Sequence, residues 1–280
     1  MTAFVLKIIA LATMIIDHTG AVFPHYFGLE FRVIGRVAFP IFVFLLAEGF
    51  RHTRSPYMFL VRLGIFAIIS EPFFDLALRA DLRAVDIISW QFVLENVNFF
   101  ANANIFYTLF LGGVSICAYD YIRHRMSLFA FFSDDRQSRQ KGFLYELFSD
   151  YFARQRDWFL LVFAFIMAFA PFFIAEALST DYASYGVAFI LAMYAITNKK
   201  IRLAVMAVMC VWQHSWILEF IIFGQADRLD ILHIMMIPAT LVPVLLAAYY
   251  NGRRGPNFKM FFYTAYPAHL AVLFFVAVAI

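Results

Sequence analysis

The chain has 280 residues, 64% of them hydrophobic and 15% charged, with a mean hydropathy of +0.78 and a net charge of +3. That balance excludes a soluble domain and describes an all-α, polytopic transmembrane helical bundle formed as one domain over 1–280. Two cysteines, Cys117 and Cys210, sit in apolar segments away from any CxxC or Cys/His cluster, so neither a disulfide framework nor a structural zinc site is expected, and no metal.

The first apolar run, residues 6–20, is the informative one, because it carries Lys7, Asp17 and His18. An ionisable group in hydrocarbon costs roughly 2–4 kcal/mol on insertion scales, which makes accidental placement rare. At 100° per residue, Lys7 and His18 point the same way, about 16 Å apart along a helix. Asp17 faces a different neighbour. No small-residue cleavage site follows, so the run reads as a retained span and not as a signal peptide.

Further along, apolar runs predict about nine spans, at 3–24, 33–50, 57–78, 104–122, 158–178, 182–197, 201–224, 229–250 and 259–280. The piece 87–100 is too short and polar to span and reads as interfacial or re-entrant. Basic residues crowd every second loop: Arg51, Arg54 and Arg62; then Arg123 to Arg156; then Lys199, Lys200 and Arg202; then Arg253, Arg254 and Lys259. By the positive-inside rule this alternation predicts a cytoplasmic N-terminus, an external C-terminus and residence in the cytoplasmic (inner) membrane.

Within the long loop at 123–157, residues 133–141 are polar. Phe143, Leu144, Leu147, Phe148, Tyr151 and Phe152 then recur at helical spacing against Glu146, Asp150 and Arg154. This predicts an amphipathic helix on the cytoplasmic membrane face, as a surface anchor or as a lid over a cytosolic ligand.

The second and third spans hold the next polar groups. Arg36 and Pro40 begin one helix that ends at Glu48, and Pro40 within a span frees a carbonyl and can kink it. Arg51, Arg54 and Arg62 then gather with Lys7 at the cytoplasmic surface, which is the electrostatics of a phosphate-bearing ligand site as well as of a topology signal. Later polar residues have structural readings too. His214 and Glu219 pair as bundle glue, Asp181 caps a helix, His25 and His233 sit at interfaces, and Asn251-Gly252 and Arg254-Gly255 make turns.

The motifs around Lys7, Asp17-His18-Thr19-Gly20, Gly35-Arg36-Val37-Ala38-Phe39-Pro40, Glu48-Gly49-Phe50, His52-Thr53 and Pro72-Phe73 resemble the TraX family. That family is named for the enzyme that acetylates the N-terminus of conjugative pilin. Asn104-Ile105-Phe106-Tyr107, Asp181-Tyr182, Tyr250-Asn251-Gly252 and Tyr266-Pro267 with His269-Leu270 extend the resemblance along most of the chain. The basic insert near 133–156 and the doubled Phe73-Phe74 depart from it. The family is similar in turn to multi-span acyltransferases of envelope polymers, whose hallmark is an arginine about ten residues before a histidine on the first helix. Lys7 and His18 match that pair, with lysine in place of arginine. The resemblance implies acyl-CoA, acetyl-CoA foremost, as donor from the cytoplasm. It implies an acceptor peptide or envelope glycan reached from the membrane or the outer face, among membrane lipids and without nucleic acid.

The chemistry of the residues agrees. Acyl transfer to an amine or hydroxyl needs a base for the acceptor's proton, and His18 titrates in the right range. Asp17 or Glu48 is expected to orient the ring. Lys7, Arg62, Arg51 and Arg54 are expected to hold the nucleotide phosphates, and Arg36, Tyr266 or His269 to serve the substrate or its oxyanion. A proton-coupled secondary transporter is the competing reading, since intramembrane Asp, Glu, His and Lys suit a proton relay as well.

Overall fold

The computed structural model describes residues 1–80, 89–133, 143–223 and 229–280, and in 125–133, in 143–157 and at 218 the helical backbone only. The described residues are all-α: α1 (Ala3–Val22), α2 (Pro24–Gly35), α3 (Ala38–His52), α4 (Pro56–Leu78), α5 (Trp90–Asn96), α6 (Ile105–Ser133), α7 (Phe143–Ala177), α8 (Ala183–Ala195), α9 (Lys199–Trp212), α10 (Ser215–Ile222), α11 (Ile231–Ala248) and α12 (Lys259–Ala279).

Seven helical stretches are long and apolar enough to cross a membrane: α1, the α2–α3 pair as Pro24–His52, α4, Ile105–His124 of α6, Trp158–Ala177 of α7, α11 and α12. The α9–α10 pair, bent by 53°, makes an eighth if taken as one span. The expectation of nine is corrected to that number among the described residues. The difference is α8, the segment expected as a span at 182–197. Its 13 residues reach only about 20 Å, short of a hydrocarbon core of about 30 Å. Val187, Phe189, Ile190 and Met193 on α8 are wholly buried, against α3, α6 and α7. Its apolarity serves protein packing, which periodicity alone does not separate from lipid contact.

Two other expectations change. The amphipathic segment of the long loop is the start of α7, which runs unbroken from Phe143 to Ala177. No glycine or proline separates the two parts before Pro171, so nothing ends the helix at the surface. Most of the polar stretch 133–141 lies outside the described residues. Pro40 is the third residue of α3, where a missing N–H costs no ladder bond; the break in the chain falls before it, at Arg36-Val37.

The bundle has two ends. At one, the Met1 ammonium donates to the Tyr249 carbonyl and the N–H groups of Ala3 and Phe4 donate to the carbonyls of Arg253 and Arg254, so α1 and α12 start side by side. The Arg51 guanidinium donates there to the carbonyls of Met193 (2.8 Å), Tyr194 (2.6 Å) and Ile196 (3.0 Å), capping the C-terminus of α8. At the other end, Ala103 exchanges backbone hydrogen bonds with Leu178 and Asp181, and Asn98 N–H donates to the Asp75 carboxylate. A close approach sets the crossing of α1 and α2. A Cβ on Gly35 would lie 2.0 Å from Oδ1 of Asp17, so only glycine leaves that carboxylate its place.

Candidate functional site

On α1, Lys7, Leu11, Met14 and His18 recur at four, three and four residues, one face of a helix. The first three line a cavity of about 860 Å³ that opens at the Lys7 end. Its mouth carries Lys7, Arg54, Arg62, Arg254 and Lys259, and its inner wall is apolar, with Leu63, Phe106 and Leu109. Lys7 rests its ammonium over the Phe262 ring, 5.3 Å from the centroid. Five cations around one opening, with Glu48 the carboxylate among them, give that opening a positive potential.

The cavity reaches inward to Ile105 and Tyr266, and His18 lies just past that wall. His18 Nδ1 is 2.7 Å from His269 Nε2, and the two ring planes are within 11° of each other with centroids 5.0 Å apart. The rings therefore lie edge to edge with the two nitrogens in line between them, and Tyr266 packs edge-on against both. Tyr266 and His269 lie about halfway along α12, and His18 lies in the last turns of α1, four residues before its end at Val22. The Tyr266 hydroxyl is buried without a well-formed hydrogen bond; the Ile105 backbone is its polar neighbour. Ile105 opens α6, where the first N–H groups have no acceptor in the helix, and Asn104 caps the next one by accepting from Phe106 N–H at 2.9 Å.

His18 itself lines a second, smaller cavity of about 330 Å³ at the opposite end, with Asp17, Arg32, Arg36, Arg79, Asp181 and Tyr182. Tyr182 adopts φ +66° and Ala183 φ +41°, backbone that non-glycine residues hold only at a cost. The strain is held by stacking of Tyr182 on Phe39, 3.5 Å between centroids, and by the Thr108 hydroxyl, which donates to the Asp181 carbonyl and accepts from the Thr180 hydroxyl. It brings the Asp181 carboxylate to the cavity wall, where burial pushes its pKa up to about 6 against the opposing pull of Arg36. Asp181 does not cap α8, whose N-cap is Tyr182 without a side-chain bond.

The structure brings some expected residues together and separates others. Lys7, Arg54 and Arg62 share one cavity; Tyr266, His269 and His18 form one cluster. The carboxylate expected beside His18 is not there. Asp17 is held by Arg32 at 2.6 Å and Arg36 at 2.8 Å, which lock α1 to α2, and Arg36 is thereby an ion-pair partner at the second cavity. Glu48 is at the other end, bonded to Arg51 and Arg202 at 2.6 Å each. Arg51 is committed to that pair and to α8. Arg254, Lys259, Arg32, Arg79 and Asp181 were not anticipated as site residues. The only signal for the first two was their place in a basic loop, for Asp181 its place in the Asp181-Tyr182 motif of the family resemblance, and for Arg32 and Arg79 nothing local existed. Among the described residues His214 Nε2 has no hydrogen-bond partner, and no hydrogen bond or ion pair joins His214 to Glu219, contrary to expectation.

A helical membrane bundle with one cavity ending at Tyr266 and a second lined by His18, either side of a histidine pair, defines the class. The chain belongs to the TraX family, whose description, "TraX protein", matches residues 3–277. It is 26% identical over 278 residues to a "Probable fimbrial assembly protein FimC, serogroup H1" of Dichelobacter nodosus, covering 97% of this chain and 94% of that one. No solved structure matches it.

Proposed function

We propose that this protein is an integral membrane acyltransferase that moves an acetyl group, or another acyl group, from acyl-CoA to an amine or hydroxyl, with His18 as general base. The observation that carries this reading is that two cavities approach one cluster, Tyr266–His18–His269, from opposite ends. Lys7, Arg54, Arg62, Arg254 and Lys259 would take the donor's phosphates, and the stripe Leu11–Met14 would guide its arm inward. The acceptor enters beside His18. Its nucleophile attacks the thioester carbonyl as His18 takes its proton; the C–S bond then breaks, and the proton passes to the departing thiolate. The Tyr266 O–H, with the Ile105 N–H behind it, faces the charge that develops on the carbonyl oxygen.

Tyr266 and Met14 stand between the cavities, so transfer requires the Tyr266 ring to yield. Pro267 supports that step: it removes the N–H that would bond the Tyr263 carbonyl and leaves α12 free to bend there. The basic mouth would face the cytosol, where acyl-CoA is, in the cytoplasmic membrane. The family's association with pilin acetylation and the relative's name favour the N-terminus of a fimbrial subunit as acceptor, with an envelope glycan as the other candidate.

The purified protein in lipid nanodiscs, given labelled acetyl-CoA and a fimbrial subunit peptide, is expected to label the peptide, and His18→Gln to lower the rate by about 10²-fold or more. Proton-driven uptake by vesicles without thioester turnover would replace this reading with the transporter.

A further inference from the structure

We infer that His269 is the positioning residue that sets which nitrogen of His18 is the base, a role that carboxylates fill in triads. The inference rests on the acyl-transfer reading for its consequence but not for its geometry. His269 Nδ1 lies 3.0 Å from the Ala265 carbonyl, one turn back on α12. A carbonyl only accepts, so Nδ1 of His269 carries a proton. With both rings uncharged, His269 Nε2 then bears a lone pair, and the contact of 2.7 Å to His18 Nδ1 is satisfied only if His18 Nδ1–H donates to it. His18 Nε2 is left with the lone pair, on a ring that lines the smaller cavity. A chain of two hydrogen bonds, Ala265 to His269 to His18, thus fixes one tautomer.

The same chain handles the proton in the reaction. When His18 Nε2 takes the acceptor's proton, the ring becomes a cation, and its Nδ1 proton can move along the existing hydrogen bond to His269 Nε2. The positive charge is then shared by two imidazoles. Asp17 does not supply that help, because Arg32 and Arg36 hold it. The pair holds that one extra proton until His18 Nε2 gives a proton to the thiolate and the shared proton moves back from His269 Nε2 to His18 Nδ1, which restores both neutral rings.

The test reads the tautomer directly. Protein labelled with ¹⁵N-histidine in nanodiscs, with the His18 signals assigned by loss in His18→Gln, is expected to show a protonated Nδ1 and a bare Nε2 in the unchanged chain. His269→Leu is expected to lose that preference, and His269→Gln, whose amide oxygen still accepts, to keep it. Acetyl transfer is expected to fall about 10²-fold or more in His269→Leu, to recover in part in His269→Gln, and to show an altered pH profile. A His18 protonated at Nε2 in the unchanged protein, or a doubly protonated His269, overturns the inference. So does a tautomer that ignores the substitution. The correct tautomer in a protein without thioester turnover would leave the geometry standing and remove the acyltransferase.

Discussion

Asp181 has an ordinary value near 3.8 that the fold pushes up to about 6, chiefly by burial. Between those values the folded chain holds a proton that the unfolded chain has lost. Its stability is therefore full below about pH 4 and falls as pH rises through about 6, by on the order of 3 kcal/mol. The melting temperature in nanodiscs is expected to drop over that interval for the unchanged protein. In Asp181→Asn the drop is expected to shrink, with higher stability at pH 7. Equal slopes for both proteins would show that the strained Tyr182–Ala183 turn leaves Asp181 in water. At this scale the sequence was legible where partners share a helix. Lys7 and His18 lie on one face of α1, and spacing alone reveals it. It was illegible where they do not. His269 is 251 residues from His18, and the two arginines that take Asp17 lie beyond a chain reversal that hydropathy does not describe.

At the scale of elements, the basic residues that look alike in the sequence divide by task. Arg51 closes the last turn of α8 and pairs with Glu48, whereas Arg62 and Arg54 line the cavity mouth. Arg51→Ala leaves three carbonyls and a carboxylate short of a donor, which costs roughly 3 kcal/mol. It is expected to lower the melting temperature with little effect on KM for acyl-CoA in the fraction that stays folded. Arg62→Ala is expected to do the reverse and raise KM about 10-fold, as loss of one charge-assisted phosphate contact does. A raised KM in Arg51→Ala at unchanged stability would return that residue to the donor site. The helices themselves were largely readable, since long apolar runs with turn residues between them have few other solutions. The exceptions have separate causes: at α8 apolar periodicity records that a face is covered, and lipid and protein cover it equally well, whereas α7 runs on because no glycine or proline interrupts it before Pro171.

At the scale of the molecule, the direction of each helix follows from its end contacts. α1 and α12 start together, beside the 249–254 turn, and run parallel until His18 meets His269. The C-terminus therefore lies at the end of the bundle opposite the N-terminus, although with the bent α9–α10 pair counted the spans number eight, which is even. The short α8 resolves the parity. It begins at Ala183, just after the Asp181-Tyr182 pair that lines the smaller cavity, and ends under Arg51 at the basic end, so the chain changes ends there within protein. Reporter fusions at Met1 and Ile280, one active in the cytosol and the other only outside it, are expected to place the two termini on opposite sides of the membrane, the N-terminus with the basic end on the cytosolic side. Both termini on one side would mean that α8 does not carry the chain between the two ends. The two cavities would then open to one compartment, and donor and acceptor would have to share a side.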